Sequence, residues 1–256
     1  MMLTSEAQDA PRPALPEQAA TIAMSCRVRL ARNLAGERFP DWATERDRER
    51  VLNAVREALS AEAPELRVTP VAGVEEQDRD MLCESHLISK ELLERAAGGG
   101  VAVAKDGSVC VMVNEEDHLR IQTILPGLQL EEAWRIADRA DDLLEEHLDY
   151  AYCEEKGYLT CCPTNVGTGM RASVMLHLPG LIAAKQAGKI FEALSQLGLV
   201  VRGLYGEGTE AAGNIYQISN QITLGQKEED IVSNLATVAK QIIEKEMEIR
   251  RFIWRE

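Results

Sequence analysis

The chain has 256 residues, enough for one large domain or two small ones with a substantial core. Hydrophobic residues make up 45% and charged residues 27%, an ordinary globular balance, while 42 Asp+Glu against 28 Lys+Arg leave a net charge of -14. That charge argues against a general nucleic-acid or membrane-surface binder, because the mean field repels a phosphate backbone; a local basic pocket remains compatible with it.

Residues 1–22 read as a flexible lead-in, with Pro11, Pro13 and Pro16 among Ala, Gln and Glu and no periodicity. Val51, Leu52, Val55 and Leu59 recur at helical spacing and predict a helix from Thr44 to Leu59. A second helix is predicted from Met81 to Ala97, ended by Gly98-Gly99-Gly100. Val101–Lys105 and Val109–Asn114 form a hairpin pattern around Asp106-Gly107, and His118–Leu125 reads as a further strand closed by Pro126-Gly127. Glu131–Tyr150 is strongly amphipathic, with acids in its first turn. Tyr158–Cys162 leads into a polar turn over Pro163–Gly169. Arg171–Leu178 is a strand, Leu181–Leu197 a helix ended by Gly198, and Leu199–Tyr205 a strand. A Gly-rich loop over Gly206–Gly213, a strand over Ile215–Ile222 and a long helix over Glu228–Trp254 finish the chain. The hairpin-like grouping of strands predicts an α+β fold with a mostly antiparallel sheet flanked by helices, in one domain over residues 23–256.

No apolar run reaches the roughly 20 residues of a membrane helix, and the N-terminus lacks a signal peptide's basic-then-apolar order. The six cysteines (Cys26, Cys83, Cys110, Cys153, Cys161, Cys162) show neither CxxC spacing nor a disulfide framework, which predicts a reducing cytoplasm. There is no P-loop. Gly206-Glu207-Gly208-Thr209-Glu210-Ala211 matches a dinucleotide pattern in letters, but a strand-like segment follows where that pattern needs a helix.

Four stretches carry chemistry. In Ser25-Cys26-Arg27-Val28-Arg29-Leu30-Ala31-Arg32-Asn33, a strand would place Arg27 and Arg29 on one face, suited to phosphate oxygens or to a solvated basic edge. Three consecutive acids in Asn114-Glu115-Glu116-Asp117-His118-Leu119-Arg120 are usually a solvated turn; as chemistry, paired carboxylates there could hold a cationic nucleophile and take its proton. Cys161-Cys162-Pro163-Thr164-Asn165-Val166-Gly167-Thr168-Gly169-Met170-Arg171 joins a thiol, a glycine-bearing turn and an arginine. Arg202 precedes the acid-bearing loop with Glu207 and Glu210.

In combination and order these stretches resemble the phosphagen (guanidino) kinases, most closely their bacterial protein-arginine kinase branch, from about Ser25 to about Gly225. The resemblance implies an antiparallel, glutamine-synthetase-like sheet bearing ATP and Mg²⁺. Arg27, Arg29, Arg120, Arg171 and Arg202 would surround the phosphates and His86 would lie against the adenine. Mg²⁺ would be held by phosphates and waters, with no protein carboxylate cage. Glu116 would orient the guanidino nitrogen and accept its proton, Glu115 and Glu207 would complete the carboxylate clamp, and Cys162 would lie against the guanidinium as a thiolate favoured by nearby arginine charge.

Departures from the pattern are Met175, where most relatives carry histidine, and Cys26, where Ser is usual. The short stretch before Arg27 holds no helical cap, which implies an open acceptor site for arginine side chains of proteins such as a repressor or misfolded chains. An activating adaptor, an unfoldase–protease and a homodimer are further partners the resemblance implies, and relatives continue into a dimerising, phosphoarginine-recognising region. The competing functions are a kinase of a free guanidino metabolite and a non-catalytic binder of nucleotide or phosphoarginine.

Overall fold

A computed structural model describes residues 21–94, 97–203 and 212–253. In chain order these hold β1 (Ala23–Arg32), α1 (Glu45–Glu62), β2 (Thr69–Pro70), α2 (Glu76–Glu84), α3 (Lys90–Glu94), β3 (Gly100–Val103), β4 (Val109–Val113), β5 (Leu119–Pro126) and α4 (Leu130–Glu145). The short pair β6 (Tyr152–Cys153) and β7 (Gly157–Tyr158) follows, then β8 (Met170–His177), α5 (Pro179–Ala183), α6 (Ala187–Gln196), β9 (Leu199–Gly203), β10 (Ile215–Asn220) and α7 (Glu228–Ile253). Eight strands form one sheet in the order β2-β3-β4-β5-β1-β8-β10-β9, antiparallel at every pairing. The expected α+β class with an antiparallel sheet is what the chain adopts.

Local chemistry explains most boundaries. Thr44 starts α1 with a reciprocal cap: its hydroxyl accepts from Asp47 N, and Asp47 accepts from Thr44 N at 2.8 Å. Two predicted helices are each split. The stretch read as Met81–Ala97 divides into α2 and α3 at His86, whose φ of 57° lies in the left-handed region. Likewise Leu181–Leu197 divides into α5 and α6 at Lys185, with φ of 56°. Helix α4 ends at Glu145, short of Tyr150, which pairs with Leu34 in an isolated bridge.

The sheet's two faces differ because strand side chains alternate. Cys26, Val28 and Leu30 of β1, Leu119 and Ile121 of β5, and Met170, Ala172, Val174 and Leu176 of β8 point into the main core. Helix α4 covers β1 and β5 there, α7 covers β8, and α6 covers β9. A buried carboxylate ties two helices: Glu246 of α7 accepts from Gly180 N and Leu181 N at 2.8 Å each and from Arg250 Nε at 2.7 Å, closing the start of α5. On the opposite face a smaller cluster (Val71, Ile88, Leu92, Val101, Cys110, Met112) forms under α2 and α3 at the β3–β4 end only. Toward β5, β1, β8, β10 and β9 that face carries arginines, Gln217 and Ser173, interspersed with Ile124 and Met175.

Candidate active site

Register determines what that open face displays. Arg29 of β1 lies directly opposite Arg171 of β8 and Gln122 of β5; Arg27 opposes Ser173, and Ala31 opposes Arg120. Arg202 of β9 opposes Gln217, which opposes Met175. Paired residues share a face, so Arg27, Arg29, Arg120, Arg171 and Arg202 all project to the same side, spread over about 20 Å of sheet at ordinary strand spacing. Arg29, Arg120, Arg171 and Arg202 line one depression together with Glu116, Cys162, Thr164 and Asn165. Arg27, Arg29 and Arg120 line a second, adjoining one with Cys83, His86, Lys90 and Gln122. Arg29 and Arg120 form the wall between them.

The cluster is electrostatically costly as it stands. Burial, then the charges of Arg27, Arg120 and Arg171, hold Arg29 well below its usual range, with Glu115 opposing. Arg171 is also lowered, by burial and then Arg202, and Arg27 by burial, Arg120 and Arg171. Arg29 Nε is buried with no hydrogen-bond partner among the described residues. Guanidiniums stay protonated, so surplus positive charge with an unmet donor calls for an anion with several oxygens.

The three consecutive acids have three separate fates. Glu115 is 1% exposed and forms an ion pair with Arg120; it also accepts from Ser89 Oγ at 2.6 Å and from Glu116 N at 2.7 Å. It therefore steadies Arg120 and ties the start of α3 to the site, since Ser89 Oγ in turn accepts from Leu92 N. Glu116 faces the first depression with its side chain 41% exposed, 3.5 Å from Arg120 Nη2. Burial, together with Asp117 and Glu115, raises its pKa above the ordinary glutamate value against the pull of Arg120 and Arg29. Asp117 is 2% exposed and turns inward. Glu207 lies outside the described residues.

Cys162 sits at the rim of the first depression, just before a single 3-10 turn, Pro163–Asn165. Its Sγ lies 3.0 Å from Thr164 Oγ1, and its carbonyl accepts from Thr160 Oγ1 and Asn165 N. Thr223 Oγ1 donates to the carbonyls of Thr164 and Val166, clamping the turn from below. Cys161 is separate: burial and Asp117 raise its thiol pKa strongly, which keeps it protonated. His86 is exposed on the turn between α2 and α3, its carbonyl accepting from Gln122 Nε2 at 2.7 Å. With Ser25, Arg27, Met175 and Gln217 it also borders a narrow crevice continuing the second depression.

Arg32 carries a structural duty that reading the sequence did not reveal. Its place on β1 turns it from Arg27 and Arg29 into the core face, where it is 1% exposed. Nη2 binds Asp141 Oδ2 at 2.5 Å and Glu228 Oε1 at 3.3 Å, Nη1 donates to Thr168 O at 2.7 Å, and the guanidinium lies 3.6 Å above the Tyr158 ring. Gly169 makes room: with φ of 63°, a Cβ there would stand 2.7 Å from Arg32 Nη1. The end of β1, α4, α7 and the loop after Cys162 are thus joined through one guanidinium.

Residues 48–249 match the family model of the ATP:guanido phosphotransferase C-terminal catalytic domain, and the chain belongs to that family of phosphotransferases. Among curated relatives, the protein-arginine kinase of Pelotomaculum thermopropionicum is 54% identical over 240 residues, covering 92% of this chain and 67% of the relative. That of Moorella thermoacetica is 51% identical over 245 residues, covering 93% and 69%. The crystal structure of lombricine kinase superposes with a TM-score of 0.81 at 25% identity, over 91% of this chain and 68% of that one. No helix among the described residues is long and apolar enough to cross a membrane.

Proposed function

We propose that the chain transfers the γ-phosphoryl group of ATP to the guanidino group of arginine residues in proteins. The carrying observation is the first depression, where four arginines face Glu116 and Cys162 across one opening. Relatives at about half identity over most of the chain, all named protein-arginine kinase, favour a protein-borne acceptor over a free guanidino metabolite.

Phosphoryl transfer proceeds through a loose transition state with charge spread over the phosphoryl oxygens, so catalysis rests on positioning and positive charge. The arginine row supplies both. Its surplus charge and the unmet Arg29 Nε fit a polyphosphate. Mg²⁺ would be held by phosphate oxygens and waters and would add positive charge to the transferring group. The nucleotide base would occupy the second depression beside His86, with Arg27 and Arg29 at its phosphate end.

A guanidinium, whose pKa lies far above neutrality, is a poor nucleophile until it gives up a proton. Glu116 would hold the guanidino nitrogen and take that proton as the N–P bond forms and the bond from the γ-phosphorus to ADP breaks. Cys162 would lie against the acceptor, while Glu115 acts on it through Arg120 and Glu116; Glu207 would close the acceptor side. Exposed arginines of protein substrates are the partners in this scheme. An activating adaptor, delivery to an unfoldase–protease, a homodimer and a cytoplasmic setting belong with it.

Incubation with casein and Mg-ATP should give acid-labile phosphate on arginine by mass spectrometry. Phosphate on free arginine alone, or only on Ser, Thr or Tyr, would overturn the proposal. The pH profile carries a signature. Glu116 acts only when ionised and its folded pKa is raised, so kcat/KM should fall with decreasing pH at a midpoint above that of an ordinary glutamate. A profile flat down to the ordinary glutamate range would remove Glu116 from the base role.

A further inference from the structure

Glu116 and Cys162 reach the acceptor side from distant parts of the chain, and nothing in either local turn sets the spacing between them. One buried carboxylate bridges the two. Asp117 Oδ1 accepts from Cys161 N at 2.7 Å and from Asn33 Nδ2 at 2.6 Å. Asp117 is the residue after Glu116, and Cys161 is the residue before Cys162. Asn33, at the end of β1, also donates from Nδ2 to Leu159 O at 3.0 Å, and its Oδ1 accepts from His118 N at 2.9 Å. Asn33 and Asp117 are 1% and 2% exposed.

The mounting extends one step further. Leu34 N donates to His118 Nδ1 at 3.0 Å, so that nitrogen carries no proton, and Nε2 donates to Arg38 O at 3.0 Å. His118 is therefore neutral and holds the acid-bearing turn to the segment after β1. The base and the thiol are thus referred to the same strand that carries Arg27 and Arg29.

We infer that Asp117, with Asn33, is a positioning residue for phosphoryl transfer: its Oδ1 fixes the distance between the Glu116 carboxylate and the Cys162 thiol, and so the seat of the guanidinium. This role rests on the proposed acceptor chemistry. The nucleotide face is held by other bonds, the strand ladders and the contacts of Glu115 with Arg120 and Ser89. Loss of the clasp should therefore disturb the acceptor and spare ATP.

The test compares full-length wild type with Asp117→Ala, Asp117→Asn and Asn33→Ala in three measurements: kcat and KM on casein, affinity for a fluorescent ADP analogue, and iodoacetamide alkylation of Cys162 followed by peptide mass spectrometry. Asp117→Ala should lose roughly 10–100-fold in kcat/KM for casein, the scale expected for a reacting group displaced by an ångström. Its ADP affinity should stay within about twofold, and Cys162 should alkylate about threefold faster as its turn loosens. Asp117→Asn keeps an Oδ1 acceptor and should stay within about threefold of wild type. Should Asp117→Ala not fold, Asn33→Ala, which strips one donor from the same oxygen, must shift both readouts in the same direction. Equal losses in Asn and Ala, or a parallel loss of ADP affinity, would overturn the inference. If wild type itself leaves casein arginines unmodified, the proposed function fails, and unchanged Cys162 alkylation in Asp117→Ala would separately refute the clasp.

Discussion

Glu116→Gln is expected to lower turnover on a protein acceptor by roughly 10²–10⁴-fold, the usual contribution of a positioned general base, while ADP affinity stays within about twofold. The amide keeps the size of the side chain and its approach to Arg120 Nη2, 3.5 Å away in the wild type. What disappears is the ability to take a proton from a guanidinium. Nucleotide contacts should survive because Arg27, Arg29, Arg171 and Arg202 form no ion pair with Glu116 among the described residues. Rapid-quench measurement of the chemical step together with ADP titration separates the two effects, and turnover within about threefold of wild type would remove Glu116 from catalysis.

The second large effect concerns stability. Arg32→Met should cost about 3–5 kcal/mol, because Asp141 would stay buried with its counter-charge removed. In a chain of this length that is a fall of roughly 10 °C in melting temperature. The loop after Cys162 should loosen as well, since Thr168 O loses its donor. Adding Asp141→Leu to the same chain should recover much of the loss, as apolar replacement of both members of a buried pair is often neutral. Calorimetry on the two single variants and the double variant measures this coupling. A melting temperature for Arg32→Met within about 2 °C of wild type would show that the guanidinium is not the junction described here.

Features carried by local chemistry could be read from the sequence. Asp106-Gly107 marked the β3–β4 turn, the apolar spacing of Val51, Leu52, Val55 and Leu59 marked α1, and period-two placement put Arg27 and Arg29 on one face. The helix breaks at His86 and Lys185 escaped notice, because neither is a glycine or proline, the residues that usually mark such a break. The strand order also lay beyond reach, since β1 pairs with strands about a hundred residues or more downstream. For the site, letters marked arginines, Glu116 and Cys162 that the fold brings to one opening, but not how each is held. The run Glu115-Glu116-Asp117 looked like one acidic turn, yet its members pair with Ser89 and Arg120, face the opening, and clasp Cys161 N and Asn33. Arg32 and Glu246 were silent because a buried charge is defined by its partners, here Asp141 and Gly180, which lie 109 and 66 positions away.

The most direct test is a crystal structure with Mg-ADP, nitrate as a planar stand-in for the transferring phosphoryl group, and an arginine-containing peptide. The nitrate should lie in the first depression within hydrogen-bond reach of at least Arg29, Arg120 and Arg171. The peptide's guanidino nitrogen should meet it in line, with Glu116 on the far side. Nitrate seated away from those arginines, or a peptide guanidinium that does not approach Glu116, would contradict the account.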